Sequence, residues 1–275
     1  MGNKQDTQQI LDELAVAEER QVYISTPSGK LEENKAYKAI WNLNTNTLGC
    51  IASNGYNIIQ HREVVSSLLT ALNNLNINYT FDVRSDGHRM FFDVKFPDTR
   101  MLIKKGEEFI GGLRLVNSFD KTTGLLIMPR MERLVCSNGM ILNHFITGFS
   151  IRHNQKLVED FQIIVEKSIN NMINSSSVLK AMINKCLEDS VEWKFAERIL
   201  FNLLHRKKHV EAIIEILKKE ESVTRWDIYN SITQYATHGA QLKPSVENWL
   251  QNKAQSLLET ELEELNIEVP EIEVK

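Results

Sequence analysis

The stretch from Asn78 to Phe96, NYTFDVRSDGHRMFFDVKF, decides the fold. Two alternating runs, Asn78 to Arg84 and Arg89 to Phe96, flank Ser85-Asp86-Gly87-His88. Asp86-Gly87 is the favoured pair for a two-residue type I′ loop, and a loop of that length fixes the register of the hairpin. Ser85 is then expected opposite His88, Arg84 opposite Arg89, and Asp82 opposite Phe91. Side chains alternate across a strand, so Tyr79, Phe81, Val83, Met90, Phe92, Val94 and Phe96 share one apolar face, which predicts a core. The other face carries Thr80, Asp82, Arg84, Arg89, Phe91, Asp93 and Lys95.

Around this hairpin the pattern stays β. Gly106 to Asn117 and Leu125 to Val135 read as two further strands about a loop, and residues 47–53 (TLGCIAS) suit another before the Asn54-Gly55 turn. Residues 6–20 are expected to form an amphipathic helix, followed by a loop through Ser25-Thr26-Pro27-Ser28-Gly29. His61 to Asn74 spaces Val64, Val65, Leu68, Leu69 and Leu72 as one helical stripe. Beyond residue 155 every segment repeats at 3.6: 156–173, 178–188, 190–204, 207–219, 224–236 and 245–265. Thr224 with Asp227 resembles a capping box. Trp193, Trp226 and Trp249 fall within apolar stripes and are expected in the core. The expected class is α+β, a small antiparallel sheet domain followed by an all-helical C-terminal region. The expected organisation is an N-terminal helix and linker (1–46), a sheet domain (47–155), a helical domain (156–258) and an acidic tail (259–275).

Composition narrows the function. A chain of 275 residues with 42% hydrophobic and 25% charged side chains is neither disordered nor collagen-like. Three cysteines (Cys50, Cys136, Cys186) form no closed disulfide set and no CxxC pair, which points to a reducing, cytoplasmic setting. No apolar run spans a membrane, and the acidic first 30 residues do not resemble a signal peptide. Charge is uneven: residues 1–80 carry net −2, residues 81–155 net +3, and residues 156–275 net −5, summing to the −4 of the whole chain. A basic middle segment points to an anionic partner.

Two features of the polar hairpin face point the same way. Facing arginines at 84 and 89 repel across the ladder, and Phe91 is an apolar ring on a charged surface. A bound polyanion turns that repulsion into attraction, and a base stacks on Phe91. A solvated face with Asp82 and Asp93 balancing the cations is the plain alternative. Arg114, Arg130 and Arg133 extend the basic character, and Lys121, among small hydroxyls in the 117–124 loop, is placed to meet phosphate. Turn chemistry accounts equally well for that loop. Asp82 with Asp93-Val94-Lys95 also fits the spacing of Mg²⁺-dependent nucleases, in which two carboxylates hold the metal and the lysine assists water. Cys136-Ser137-Asn138-Gly139 lacks an adjacent base and reads as a buried thiol before a turn. His205 and His209 stand at i and i+4, but Arg206-Lys207-Lys208 between them repel a metal, so a helix C-terminus or a basic surface patch fits better. No dinucleotide or P-loop motif occurs.

Several stretches together resemble the phage- and plasmid-associated family of domain of unknown function 932. They are Asn54-Gly55-Tyr56-Asn57-Ile58-Ile59-Gln60-His61, Leu115-Val116-Asn117-Ser118-Phe119-Asp120, Arg133-Leu134-Val135-Cys136-Ser137-Asn138-Gly139-Met140, and Trp226 through His238. Where members of that family often have Asp-Gly-Ser-Ser, this chain has Asp120-Lys121-Thr122-Thr123. The resemblance implies a role in mobile-element DNA metabolism. The leading expectation is a non-enzymatic single-stranded-DNA-binding protein, with strand annealing in recombination as its use. Arg84, Arg89, Phe91, Lys95, Arg114, Lys121, Arg130 and Arg133 form its interface. It has no catalytic residue, metal or cofactor, and assembles as a homo-oligomer. The seven glutamates of residues 259–275 read either as a solvated, inert tail or as one that recruits a partner or competes with nucleic acid. The nuclease, and an interaction module acting through the helical half, are the two alternatives.

Overall fold

The computed structural model describes residues 4–104, 107–133, 138–141, 149–151, 161–174, 176–220, 223–239, 242–260 and 264. In chain order the elements are α1 (Lys4–Glu13), β1 (Ala17–Ser25), β2 (Leu31–Asn42), β3 (Thr47–Ser53), α2 (His61–Asn74), β4 (Thr80–Asp86), β5 (Arg89–Lys104), β6 (Glu107–Ser118), β7 (Leu125–Arg133), β8 (Asn138–Ile141), β9 (Phe149–Ile151), α3 (Phe161–Asn174), α4 (Ser176–Glu188), α5 (Trp193–Leu204), α6 (Lys207–Leu217), α7 (Arg225–His238) and α8 (Pro244–Glu259). One sheet has the order β1-β2-β3. The other runs β4-β5-β6-β7-β8, with β9 on β7. The class is α+β, with antiparallel sheets first and helices after. Among the described residues no helix is long and apolar enough to cross a membrane.

The chain groups into two compact units that interleave in sequence. Unit 1 comprises Met1–Thr99, Gly111–Pro129 and Ile146–Met172, and unit 2 comprises Arg100–Ile110, Arg130–Phe145 and Ile173–Lys275.

In unit 1 the stretch expected as helix and linker is largely sheet. Residues 17–25 and 31–42 pair antiparallel around a turn in which the Gly29 N–H donates to the Thr26 carbonyl at 2.8 Å, with Gly29 at φ 79°. Glu18-Glu19-Arg20 and Glu32-Glu33 hide the strand pattern, because the outer half of this hairpin is wet on both faces. Its inner half closes a small core of Ala17, Ile40 and Ala52 on Phe119 of the β6–β7 loop. Gly49 allows that approach: a Cβ there would lie 2.6 Å from the Phe119 carbonyl oxygen. Gly49→Ala is expected to destabilise the protein by about 1–3 kcal/mol, read from its urea midpoint, because backbone must shift to admit the methyl.

The β4–β5 hairpin keeps its predicted faces but not its predicted pairs. Asp86 lies opposite Arg89, Arg84 opposite Phe91, and Asp82 opposite Asp93. The loop is Gly87-His88, with a positive φ of 65° at Gly87 and none at His88, the pattern of a type II′ turn. A shift of two leaves side-chain parity intact, so the apolar face still carries Met90, Phe92, Val94 and Phe96, all buried. The physical reason lies beyond the hairpin. Asn42 donates to the Gly87 carbonyl at 3.2 Å, the Phe119 N–H donates to the His88 carbonyl at 2.9 Å, and Thr47 Oγ1 meets His88 Nε2 at 3.1 Å. The shift also removes the like-charge arginine pair.

Unit 2 holds α4 to α8. Helices α5 and α6 bury Ile199, Leu200, Leu204, Val210, Ile213 and Leu217, and Trp226 of α7 is buried against Phe109 and stacked on Tyr229. Trp193 and Trp249, expected in the core, are only half-buried. The capping box at Thr224 and Asp227 is formed in both directions. Thr224→Ala is expected to cost about 1 kcal/mol, checked by thermal unfolding. Behind it the buried Arg225 donates to the Leu257 carbonyl at 2.7 Å, to the Thr260 carbonyl, and to Asp189 at 3.1 Å. Those bonds satisfy carbonyls at the C-terminal end of α8. Apart from Glu259, Thr260 and Glu264, the acidic tail lies outside the described residues, as does Cys136.

Candidate functional site

The expected interface residues do not form one surface. Phe91 is 2% exposed, so no base reaches it. Asp93 is equally covered and grips two guanidinium groups. Arg114 holds it in a bidentate pair (Nε to Oδ1 2.6 Å, Nη2 to Oδ2 2.7 Å), and Arg84 Nη2 reaches Oδ2 at 2.6 Å. Arg114 and Asp93 are each 1% exposed. Arg84 also stands 3.3 Å from Asp82, and Arg89 pairs with Asp86 at 3.1 Å. Arg130, in unit 2, is buried beside Glu132 at 3.6 Å. Phe91, Arg114 and Arg130 are therefore structural, a correction that follows from the sheet burying both faces of its central strands. Lys95 is half-buried opposite Thr80. Arg133 sits on β7 opposite Asn138, and its side chain lies outside the described residues. Lys121 is exposed, at φ 62°, with Nζ donating to the Ile51 carbonyl at 3.0 Å and lying 5.7 Å above the Tyr56 ring.

Asp93 is also unsuited to hold a metal. Both its oxygens accept from cations, and a Mg²⁺ ion would enter against two positive charges. Among the described residues no group of three or more His, Cys, Asp or Glu side chains is arranged to hold a metal ion.

Two widely separated sequence stretches meet where β6 ends. Buried Asn117 donates to the Ile59 carbonyl at 2.8 Å and meets His61 Nδ1 at 3.0 Å. His61 stacks on Phe119, centroids 3.9 Å apart and 12° from parallel. Nearby, burial pushes the Cys50 thiol up despite Lys121, so it is no activated nucleophile. Burial likewise raises the Tyr56 phenol, helped by Cys50 and Asp120. Burial alone would raise Asp120, but hydrogen bonds from Thr122 and Ser118 and the charge of Arg89 hold it below the ordinary carboxylate value. This network pins α2 and the β6–β7 loop together. Asn54-to-His61 and Leu115-to-Asp120 are thus one packing unit.

The family model for a domain of unknown function (DUF932) matches residues 50–258, three quarters of the chain. The chain belongs to that family. No curated protein and no solved structure matches it. The matched range begins inside β3, so β1 and β2 lie before it, and it takes in the Asn117 network, the Asp93 cluster and α4 to α8.

Within that range, besides Lys121 on Tyr56, a second cationic and aromatic surface belongs to unit 2. Helix α5 ends at His205, which takes the left-handed conformation (φ 51°) while its N–H donates to the Phe201 carbonyl at 2.9 Å. Arg206 is extended, and α6 starts at Lys207. His205, Arg206, Lys207 and Lys208 are all exposed, Lys207 with 80% of its side chain in solvent. The Arg206 guanidinium lies 4.6 Å above the Trp249 ring of α8. His209 meets the Tyr235 hydroxyl of α7 at 3.1 Å and tilts toward Trp249 at 5.9 Å. Burial, then the charges of Arg206 and Lys208, lower the pKa of His209, a sign of positive potential across the patch. One carboxylate, Glu211, reaches Lys207, at 3.7 Å. The segment was visible in the sequence as His-Arg-Lys-Lys-His. Its aromatic partner, 43 residues downstream of Arg206, was not.

Proposed function

We propose that the protein is a non-catalytic single-stranded nucleic-acid-binding protein that works in the cytoplasm in mobile-element DNA metabolism, with strand annealing in recombination as its use. Contact runs through His205, Arg206, Lys207, Lys208, His209 and Trp249 rather than through the hairpin face. The observation that carries this reading is the guanidinium of Arg206 lying on an indole beside two exposed lysines.

Those cations stand at the N-terminal end of α6, where the helix dipole already presents positive charge, so each is unfavourable there by about 0.3–1 kcal/mol. Phosphates repay that cost, while the guanidinium plane of Arg206, backed by the indole, offers a surface on which a base can stack. The binding test is fluorescence anisotropy of a labelled oligothymidylate across a salt series, with and without Mg²⁺. Affinity should fall linearly in log salt by about 0.7 per phosphate neutralised, with no dependence on the metal and no cleavage. Absence of binding at low salt would make the interaction module the better reading. Mg²⁺-dependent cutting would restore the nuclease.

A further inference from the structure

We propose that the outer face of the β1-β2-β3 sheet seats a second copy of this chain, so that the protein self-associates through it. This inference is independent of the nucleic-acid reading. The inner face is filled by the Ala17, Ile40, Ala52 and Phe119 core, so the apolar side chains opposite it are not needed there. They are nevertheless large. Trp41 pairs with Leu48 across the ladder, Ala39 with Ile51, and Tyr37 follows two positions along β2. Tyr37, Leu48 and Ile51 are exposed, and Trp41 carries the Arg20 guanidinium 4.4 Å above its ring. Eight of the thirteen large apolar side chains exposed among the described residues lie between Val16 and Ile51. Six of these eight, Tyr23, Ile24, Leu31, Tyr37, Leu48 and Ile51, lie on the strands of this one small sheet, and such concentration marks a contact surface.

Charge selects the occupant. Between Ala17 and Ser53 the chain carries four acidic side chains (Glu18, Glu19, Glu32, Glu33) and four basic ones (Arg20, Lys30, Lys35, Lys38). A nucleic acid or an anionic lipid surface needs a cationic surplus, and this sheet has none. A two-fold contact places one patch against itself, so it must be self-complementary, and a sheet whose charges balance meets that condition. Tyr, Trp and Arg are also the side chains enriched in protein interfaces. Among the described residues the sheet edge at β1 has no strand partner, and it can add to the contact.

The test is sedimentation equilibrium of the full chain at about 50 µM, a concentration that populates a dimer of micromolar Kd. The wild type should run at twice the chain mass or more, and Leu48→Glu with Ile51→Glu should run as a monomer with an unchanged unfolding temperature. Both positions are exposed, so folding should survive. If that variant fails to fold, hydrogen exchange on the wild type decides instead, with residues 37–53 gaining protection as concentration rises. A monomeric wild type, a variant of wild-type mass, or protection independent of concentration would each overturn the proposal.

Discussion

Asp93→Asn is expected to lower stability by about 3–5 kcal/mol, the largest effect of any single substitution considered. The carboxylate sits on β5 with 1% exposure and accepts from Arg114, buried to the same degree, and from Arg84. Asparagine keeps the size but cancels the charge and leaves one acceptor oxygen where there were two, and its amide hydrogens point at guanidinium groups that can only donate. Arg114 is then a buried cation without its counter-charge, and water cannot replace it at that depth. Stability in urea gives the number. The paired variant Asp93→Asn with Arg114→Met separates causes: removing both charges should recover much of the loss, because an apolar replacement of a buried ion pair is often close to neutral. A small loss for Asp93→Asn, under about 1 kcal/mol, would mean that the cluster is wetter than described and that Asp93 is free for other chemistry.

The second large effect concerns binding. Replacing Arg206, Lys207 and Lys208 by alanine together should reduce affinity for single-stranded oligonucleotide about a hundredfold near 0.1 M salt. The slope of log K against log salt should fall by about 2, three phosphates at roughly 0.7 each. All three side chains are exposed and Lys207 makes only a long surface pair with Glu211, so folding should be little affected. Alanine also favours the first turn of α6. Trp249→Phe keeps a ring under Arg206 and should weaken binding less than Trp249→Leu, which keeps packing alone. An unchanged slope in the triple variant would place the phosphates elsewhere.

Periodicity located most of the fold, for physical reasons that vary by element. The stripe His61 to Asn74 is observed at the same bounds because Val64, Val65, Leu68, Leu69 and Leu72 are all buried on one side. The capping box at Thr224 was legible because its two partners are three residues apart. In the hairpin, face assignment depends only on parity and was legible. Register depends on Asn42, Thr47 and Phe119 clasping the turn, which no local pattern records. The N-terminal sheet was hidden because Glu18-Glu19-Arg20 and Glu32-Glu33 break the alternation where the hairpin is solvated on both sides.

The site was less legible than the fold, and burial is the reason. Arg84, Arg89, Phe91 and Arg114 look like a docking surface in a list of residues, because sequence does not say what lies over a strand. Once β5 and β6 are central strands covered on both faces, Arg84 and Arg114 become counter-charges to Asp93, and Arg89 pairs with Asp86. The motif stretches around Asn54-to-His61 and Leu115-to-Asp120 meet in the Asn117–His61–Phe119 packing, which no local pattern records. The patch at 205–209 was read as surface, and only the structure added the indole beneath Arg206.

The most direct measurement is photo-crosslinking of the full chain to a single-stranded oligonucleotide carrying 4-thiothymidine, with the modified residues located by mass spectrometry. Crosslinks should concentrate on Trp249 and on the segment His205 to His209, and disappear when unlabelled oligonucleotide competes. Competed crosslinks that map to the β4–β5 hairpin, or bound oligonucleotide that leaves this segment unmodified, would contradict the account.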